Sequence, residues 1–283
     1  MQTFTTVKAL RTELNLQKCE GNSIALVPTM GNLHAGHIKL FEEAVAGADF
    51  VVGSIFVNPL QFGADEDLDA YPRTLAEDKI KLEQSGCHCL FAPPAAEIYL
   101  DDADVQPVIR VPELALDFCG RSRPGHFEGV ITVVNRLFNI VQPNQAYFGL
   151  KDYQQYLVIQ RLIAESYLPI ELIGIETQRE TSGLALSSRN NYLNEVEREN
   201  AAQLYRSIQT VAEQILKGGG DFCQLESNAK EELITRFIQP DYFAICDATT
   251  LTRATPQDKD LVILAAAYVG ASRLIDNMRV QLY

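Results

Sequence analysis

Five short apolar runs separated by helical periods constrain the fold of this 283-residue chain more than any other feature. The runs fall at residues 24–27, 50–57, 87–91, 146–148 and 171–175. Stretches with helical spacing fall between them at 38–46, 74–84, 130–141 and 153–165. Such alternation predicts an α/β domain, a mostly parallel sheet wrapped by helices. In sheets of this kind ligands bind beyond the carboxyl ends of the strands. Two polar segments follow predicted strands directly and belong on that rim: the turn after Val27, and Asn58-Pro59-Leu60-Gln61.

After Arg189 the pattern changes. Helical stretches at 195–217 and 223–237 flank Gly218-Gly219-Gly220, and strand-like runs follow at 242–247, 261–269 and 273–277. Helices followed by strands predict a separate, smaller α+β domain. The boundary is expected near residues 177–186, giving domains of 1–180 and 181–283.

The most informative segment for chemistry is Val27-Pro28-Thr29-Met30-Gly31-Asn32-Leu33-His34-Ala35-Gly36-His37. It reads as a strand end, a tight turn and a helix start. Positions three apart on a helix start face the same way, so His34 and His37 should point together. Gly36 allows close approach of a ligand to the backbone. Free backbone N–H groups at the helix N-terminus would add an anion-binding field. The combination predicts a polyphosphate site and chemistry on a nucleotide. A phosphate-loop reading is poorer: Gly31 and Gly36 have the glycine spacing, but His37-Ile38 stands where Lys and Ser/Thr are required. Zinc is poorer still, since third and fourth ligands at suitable spacing are missing nearby.

Three other segments carry polar chemistry. In Gly149-Leu150-Lys151-Asp152-Tyr153-Gln154-Gln155, Lys151 can neutralise phosphate, Asp152 can cap a helix or bind Mg²⁺, and Gln155 can donate and accept. Taken alone, the segment reads first as an N-cap followed by a solvated helix turn. Ser187-Ser188-Arg189 sets hydroxyls beside a guanidinium, either an anion clamp or a polar linker. Arg123-Pro124-Gly125-His126 is a basic loop with the same ambiguity. Cys87-His88-Cys89 suggests a metal at first sight, but in a strand the two thiols share one face and the imidazole takes the other. Buried small apolar side chains are the better reading.

Charge and hydropathy limit the rest. A formal net charge of −13 argues against broad nucleic-acid contact and calls for a local basic pocket to hold a polyanion. No apolar run is long enough to span a bilayer, so no membrane partner is expected. The first eight residues lack a basic segment followed by an apolar one, and the six cysteines are scattered, so the cytoplasm is the expected compartment.

Together these segments resemble the pantothenate synthetase (pantoate–β-alanine ligase) family, part of the HxGH nucleotidyltransferase superfamily. The likeness runs nearly end to end. It rests on Pro28-Thr29-Met30-Gly31, Leu33-His34 and Gly36-His37, on Ser54-Ile55-Phe56-Val57-Asn58-Pro59 with Gln61-Phe62-Gly63, and on Asp69 with Tyr71-Pro72-Arg73. It continues through Arg123-Pro124, His126-Phe127 and Gly129-Val130, then Phe148-Gly149 with Lys151-Asp152-Tyr153-Gln154-Gln155, and Arg179-Glu180, Gly183-Leu184-Ala185 and Ser187-Ser188-Arg189-Asn190. The histidine turn alone indicates only the superfamily; the whole set is specific to the ligase.

The resemblance implies a Rossmann-like doubly wound parallel sheet, a smaller C-terminal domain that closes over the nucleotide, and a homodimer. It implies that Met30, Gly31, Asn32, Leu33, His34, Ala35, Gly36 and His37 line an ATP site. Gly149, Leu150, Lys151, Asp152, the backbone at Gln178, and Leu186, Ser187, Ser188 and Arg189 would complete it. Gln61 and Gln155 would hold pantoate, with Gln61 also reaching towards β-alanine, and Asn58 and Arg123 would support them. His37, His34, Lys151 and Arg189 would supply catalytic charge. ATP would act as a substrate with Mg²⁺, and no protein metal ligands are implied. Leu150 stands where the family usually has Glu, Gln178 where Val is common, and Leu186 where Met is common. The implied reaction forms a pantoyl adenylate and then an amide. Three rival readings stay open: another nucleotidyl-transferring enzyme with the same histidine turn, such as a cytidylyltransferase; a tRNA-charging enzyme, against which the short acidic chain counts; and a non-catalytic nucleotide sensor, against which the intact His34, His37, Lys151, Ser187, Ser188 and Arg189 count. Pantoate-dependent pyrophosphate exchange separates the ligase from these.

Overall fold

A computed structural model describes residues 1–63, 68, 71–99 and 113–282. Asp69 lies outside these residues. The described chain forms two compact units: Met1–Leu150 with Gln155–Glu176, and Lys151–Gln154 with Thr177–Tyr283.

The first unit is a six-stranded parallel sheet with order β1-β4-β3-β2-β5-β6. Its strands are β1 (Gln2–Phe4), β2 (Ile24–Thr29), β3 (Phe50–Ile55), β4 (Cys89–Phe91), β5 (Gln145–Gly149) and β6 (Glu171–Ile175). Each pairing is parallel. Helices α1 (Val7–Cys19), α2 (Ala35–Gly47), α3 (Leu75–Gln84), α4 (Ala95–Ile98), α5 (Cys119–Ser122), α6 (His126–Val141) and α7 (Tyr153–Glu165) connect the strands. This is the Rossmann-like doubly wound class that the alternation and the resemblance together predict.

Ile24, Ala25, Leu26 and Val27 are fully buried, because β2 sits inside the sheet with helices over its faces. From β2 the chain proceeds to β3 and β4 on one side, and later to β5 and β6 on the other. The switch point therefore lies between β2 and β5. β2 pairs with β5 only at Ala25 and Leu26. Pro28, with no N–H to give, is tolerated where that pairing has already ended. The two strands part there, and the histidine turn leaves from the gap.

Several boundaries shift from the sequence reading. α6 begins at His126, four residues earlier than the predicted stretch, because Gly125 adopts a left-handed conformation that starts it. β3 ends at Ile55. β1 and α1 were not anticipated: the strand is three residues long, and α1 buries only Leu10 and Leu14. Cys87 and Cys89 are both buried free thiols, and burial pushes the Cys87 thiol up to about 12. His88 accepts the Val51 N–H at 3.0 Å and stacks on Phe50.

The second unit is an antiparallel sheet, β7 (Gln239–Asp247), β8 (Asp260–Val269) and β9 (Ser272–Gln281), with helices α8 (Glu195–Leu216) and α9 (Phe222–Thr235). Leu204, Ile208, Leu233, Phe243, Ile245 and Ile263 form its core. Among the described residues, no helix is long and apolar enough to cross a membrane.

Candidate active site

The chain leaves β2 through Gly31, whose φ of 85° is the left-handed conformation glycine adopts without strain. Asn32 follows at φ 51°. This turn is gripped from α3. Asp78, in its first turn and fully buried, accepts the Asn32 N–H and the Leu33 N–H, both at 2.8 Å, and the Thr74 hydroxyl at 3.0 Å. Lys81 donates to the Leu33 carbonyl at 2.6 Å. A Cβ on Gly31 would lie 3.2 Å from the same carboxylate.

His34 is the N-cap of α2, and His37 stands three residues on. The rings are 4.0 Å apart. The Gly36 N–H donates to His34 Nδ1 at 3.2 Å, and the His34 N–H donates to His37 Nδ1 at 3.3 Å. Both δ nitrogens are therefore acceptors, and each neutral ring carries its proton on Nε2. The expectation of several free backbone donors is corrected here. The N–H groups of Asn32, Leu33, His34 and Gly36 all have partners inside the protein.

After β3, Asn58 caps a one-turn 3-10 helix, Pro59–Gln61. Gly129 of α6 lets that helix come close: a Cβ there would lie 2.2 Å from the Leu60 carbonyl oxygen. Asn58 is 1% exposed and Gln61 8%. Asn58 Nδ2 donates to Gln61 Oε1 at 3.1 Å and to the Gly129 carbonyl at 3.0 Å. Its Oδ1 accepts from the Leu60 N–H at 3.3 Å and from the Tyr99 hydroxyl at 2.6 Å. Gln61 Nε2 reaches Met30 Sδ at 2.7 Å, so the glutamine touches the residue that opens the histidine turn. The Gln61 carbonyl accepts from His126 Nδ1 at 2.9 Å and from Arg123 Nη2 at 3.4 Å. A carbonyl only accepts, so His126 is protonated on Nδ1, and its Nε2 then accepts from Arg123 Nη1 at 3.0 Å.

Gln155 lies half-buried in the first turn of α7. Leu150 packs against β6: a Cβ on Gly174 would lie 2.6 Å from its Cδ2. An apolar side chain at 150 thus fills space over the sheet.

Within the second unit, Lys151, Ser187, Arg189, Arg273 and Asp276 line one recess. Lys151 lies 3.6 Å from Asp152 Oδ1, and its carbonyl accepts from Asn277 Nδ2 at 2.9 Å. Ser187 caps the 3-10 helix Ser188–Tyr192 by accepting the Arg189 N–H at 3.3 Å. Leu186 donates its N–H to the Gln178 carbonyl at 2.9 Å. Arg179 makes a bidentate pair with Asp276. Asp78, Tyr99, Lys81 and Asp276 were not found from sequence. Each acts on a partner far along the chain, and a lone charged or aromatic residue carries no local signal.

Comparison with known proteins is decisive for the family. The chain matches the family model described as pantoate-beta-alanine ligase over residues 2–279. It is 52% identical over 282 residues to the pantothenate synthetase of Pseudomonas fluorescens, covering 100% of this chain and 99% of that one. Identity to the pantothenate synthetase of Pseudomonas aeruginosa is 51%, covering 100% of both chains. The fold matches the crystal structure of pantothenate synthetase from Thermus thermophilus with a TM-score of 0.91 at 41% identity, covering 98% of this chain and 99% of that one. It also matches the pantoate-beta-alanine ligase of Francisella tularensis, complexed with beta-gamma ATP and beta-alanine, with a TM-score of 0.82 at 33% identity and coverage of 98% and 97%. On the parallel sheet, the histidine turn and this full-length likeness, the chain belongs to the pantoate–β-alanine ligase family.

Proposed function

We propose that this protein condenses pantoate with β-alanine at the expense of ATP, giving pantothenate, AMP and pyrophosphate. The observation that carries the reading is the contact between Gln61 and Met30. It sets an amide suited to an acid beside a turn whose two imidazoles offer Nε2–H donors to phosphate.

In the first step a pantoate carboxylate oxygen attacks the α-phosphorus of ATP, and pyrophosphate leaves. A carboxylate is already ionised at neutral pH, so this step needs no general base. Catalysis is alignment plus stabilisation of the charge that builds on phosphate oxygens. His34 and His37 supply donors to that charge, with His37 the principal one. Gln61 and Gln155 hold pantoate, supported by Asn58 and Arg123. The family resemblance gives Lys151, Ser187, Ser188 and Arg189 as further ATP-binding residues. In the second step the β-alanine amine attacks the acyl carbon of the adenylate, and AMP leaves.

Among the described residues no group of three or more His, Cys, Asp or Glu could hold a metal. Mg²⁺ enters as part of the substrate, bound to the triphosphate. The enzyme works in the cytoplasm as a homodimer, a reading supported by its composition and by the family resemblance.

Isotope exchange between pyrophosphate and ATP tests the reading. Exchange should require pantoate and not β-alanine, and AMP should accumulate only when β-alanine is added. Exchange without pantoate, or AMP release with a different acid and no response to pantoate, would sink it.

A further inference from the structure

The two ends of a glutamine amide have nearly the same shape and opposite chemistry: one accepts and the other donates. What holds the amide from behind decides which end meets a ligand. For Gln61 that support is Asn58, whose orientation is fixed by two backbone groups. The Gly129 carbonyl can only accept and so takes Asn58 Nδ2; the Leu60 N–H can only donate and so takes Oδ1. The second Nδ2 hydrogen goes to Gln61 Oε1, and the second Oδ1 lone pair takes the Tyr99 hydroxyl. At 2.6 Å, the Tyr99 bond is the shortest of the four.

Tyr99 is itself well held. The Arg136 guanidinium lies 4.5 Å over its ring, and Arg136 donates to the Ile98 carbonyl next to it. Phe56 packs on the ring with centroids 6.0 Å apart. Burial pushes the phenol up to about 12, so it remains an O–H donor at any working pH.

We propose that Tyr99 is a positioning residue: by bonding the second lone pair of an Asn58 amide already oriented by the Gly129 carbonyl and the Leu60 N–H, it stiffens the relay that holds the Gln61 amide with Oε1 turned inward and Nε2 turned outward, so that the site offers the acid substrate a donor and never an acceptor. The thioether of Met30 is a weak acceptor for that N–H, and a carboxylate or hydroxyl oxygen of pantoate is a better one. The inference rests on the reading of Gln61 as an acid-binding residue.

Tyr99→Phe tests it by removing one oxygen while keeping the ring and its packing. KM for pantoate should rise roughly five- to tenfold, the effect of losing one well-made hydrogen bond, with KM for ATP and kcat changed by less than about twofold. In a Gln61→Ala background the same change should alter pantoate affinity, read by calorimetry, by less than about twofold, because the amide it acts on is gone. Asn58→Asp reads the relay at its middle: it removes the donor to Gln61 and should raise KM for pantoate more than Tyr99→Phe does. Equal rises in the KM values for ATP and pantoate, an unmoved KM for pantoate, or equal effects with and without Gln61 would each overturn the proposal. Failure of the wild-type enzyme to show pantoate-dependent exchange would instead remove the functional reading beneath it.

Discussion

Asp276 of β9 holds both terminal nitrogens of Arg179, at 2.6 and 2.8 Å. The Arg179 guanidinium also lies 3.4 Å over the Tyr205 ring and donates to the Gly183 carbonyl. One arginine thus fastens the polar segment that carries Ser187 and Arg189 to the sheet of its own unit. The side chains are 17% and 4% exposed, so removing the acid strands a largely buried cation. Asp276→Ala should cost about 3 kcal/mol, the lower end for breaking a buried pair. Arg179→Met combined with Asp276→Leu should recover much of that loss. Urea unfolding of the two variants checks this, and an equal loss in both would show that the charges themselves are not the issue.

Asp78 shapes the histidine turn without being part of it. Asp78→Asn keeps the volume but sets an N–H₂ against one of two backbone donors. Stability should fall by about 2 kcal/mol, the cost of a buried donor left unpaired. KM for ATP should rise while KM for pantoate stays level. Denaturant titration and steady-state kinetics read the two effects separately, and a wild-type KM for ATP would show that the turn keeps its shape unaided.

On the proposed mechanism, His37→Ala removes one donor to the developing phosphate charge. Pantoate-dependent exchange should slow about 10²- to 10³-fold, as for loss of one oxyanion donor. Pantoate binding measured without ATP should not change. A variant that exchanges at the wild-type rate would remove His37 from the chemistry.

The Asp49 carboxylate lies below its ordinary range because it accepts the Ser23 hydroxyl and the Ser23 N–H. A carboxyl with a lowered folded value stabilises the fold above its unfolded value, and that gain is lost as pH falls through the folded one. Ser23→Ala should therefore narrow the stability gap to wild type as pH drops from about 5 to about 2. Thermal midpoints across that range give the measurement, and a gap that widens on acidification would reverse the assignment.

Periodicity made the sheet legible. Ile24, Val51, Leu90, Ala146 and Ile173 sit in runs bounded by turn residues, and all five runs became strands. The histidine turn stood out because the chain has only four histidines and two of them lie three apart; Gln61 was singled out through the family resemblance. What escaped was support from a distance. Asp78 reaches back 45 and 46 residues to Leu33 and Asn32, and Tyr99 reaches back 41 to Asn58. Neither leaves a periodic trace, since a single side chain has no period. The backbone donors of the turn were misjudged for the same reason: their acceptors come from α3 and from the rings themselves. α1 escaped because two buried leucines make a thin stripe.

The strand order has a cost during synthesis. β2 meets β3 within about one helical excursion, but its other edge waits for Gln145 and Ala146, some 120 residues downstream. Until those residues leave the ribosome, an apolar strand from Ile24 to Val27 shows an open hydrogen-bonding edge to any neighbour. Nascent chains stalled between β4 and β5 still carry that open edge and are exposed to aggregation through it.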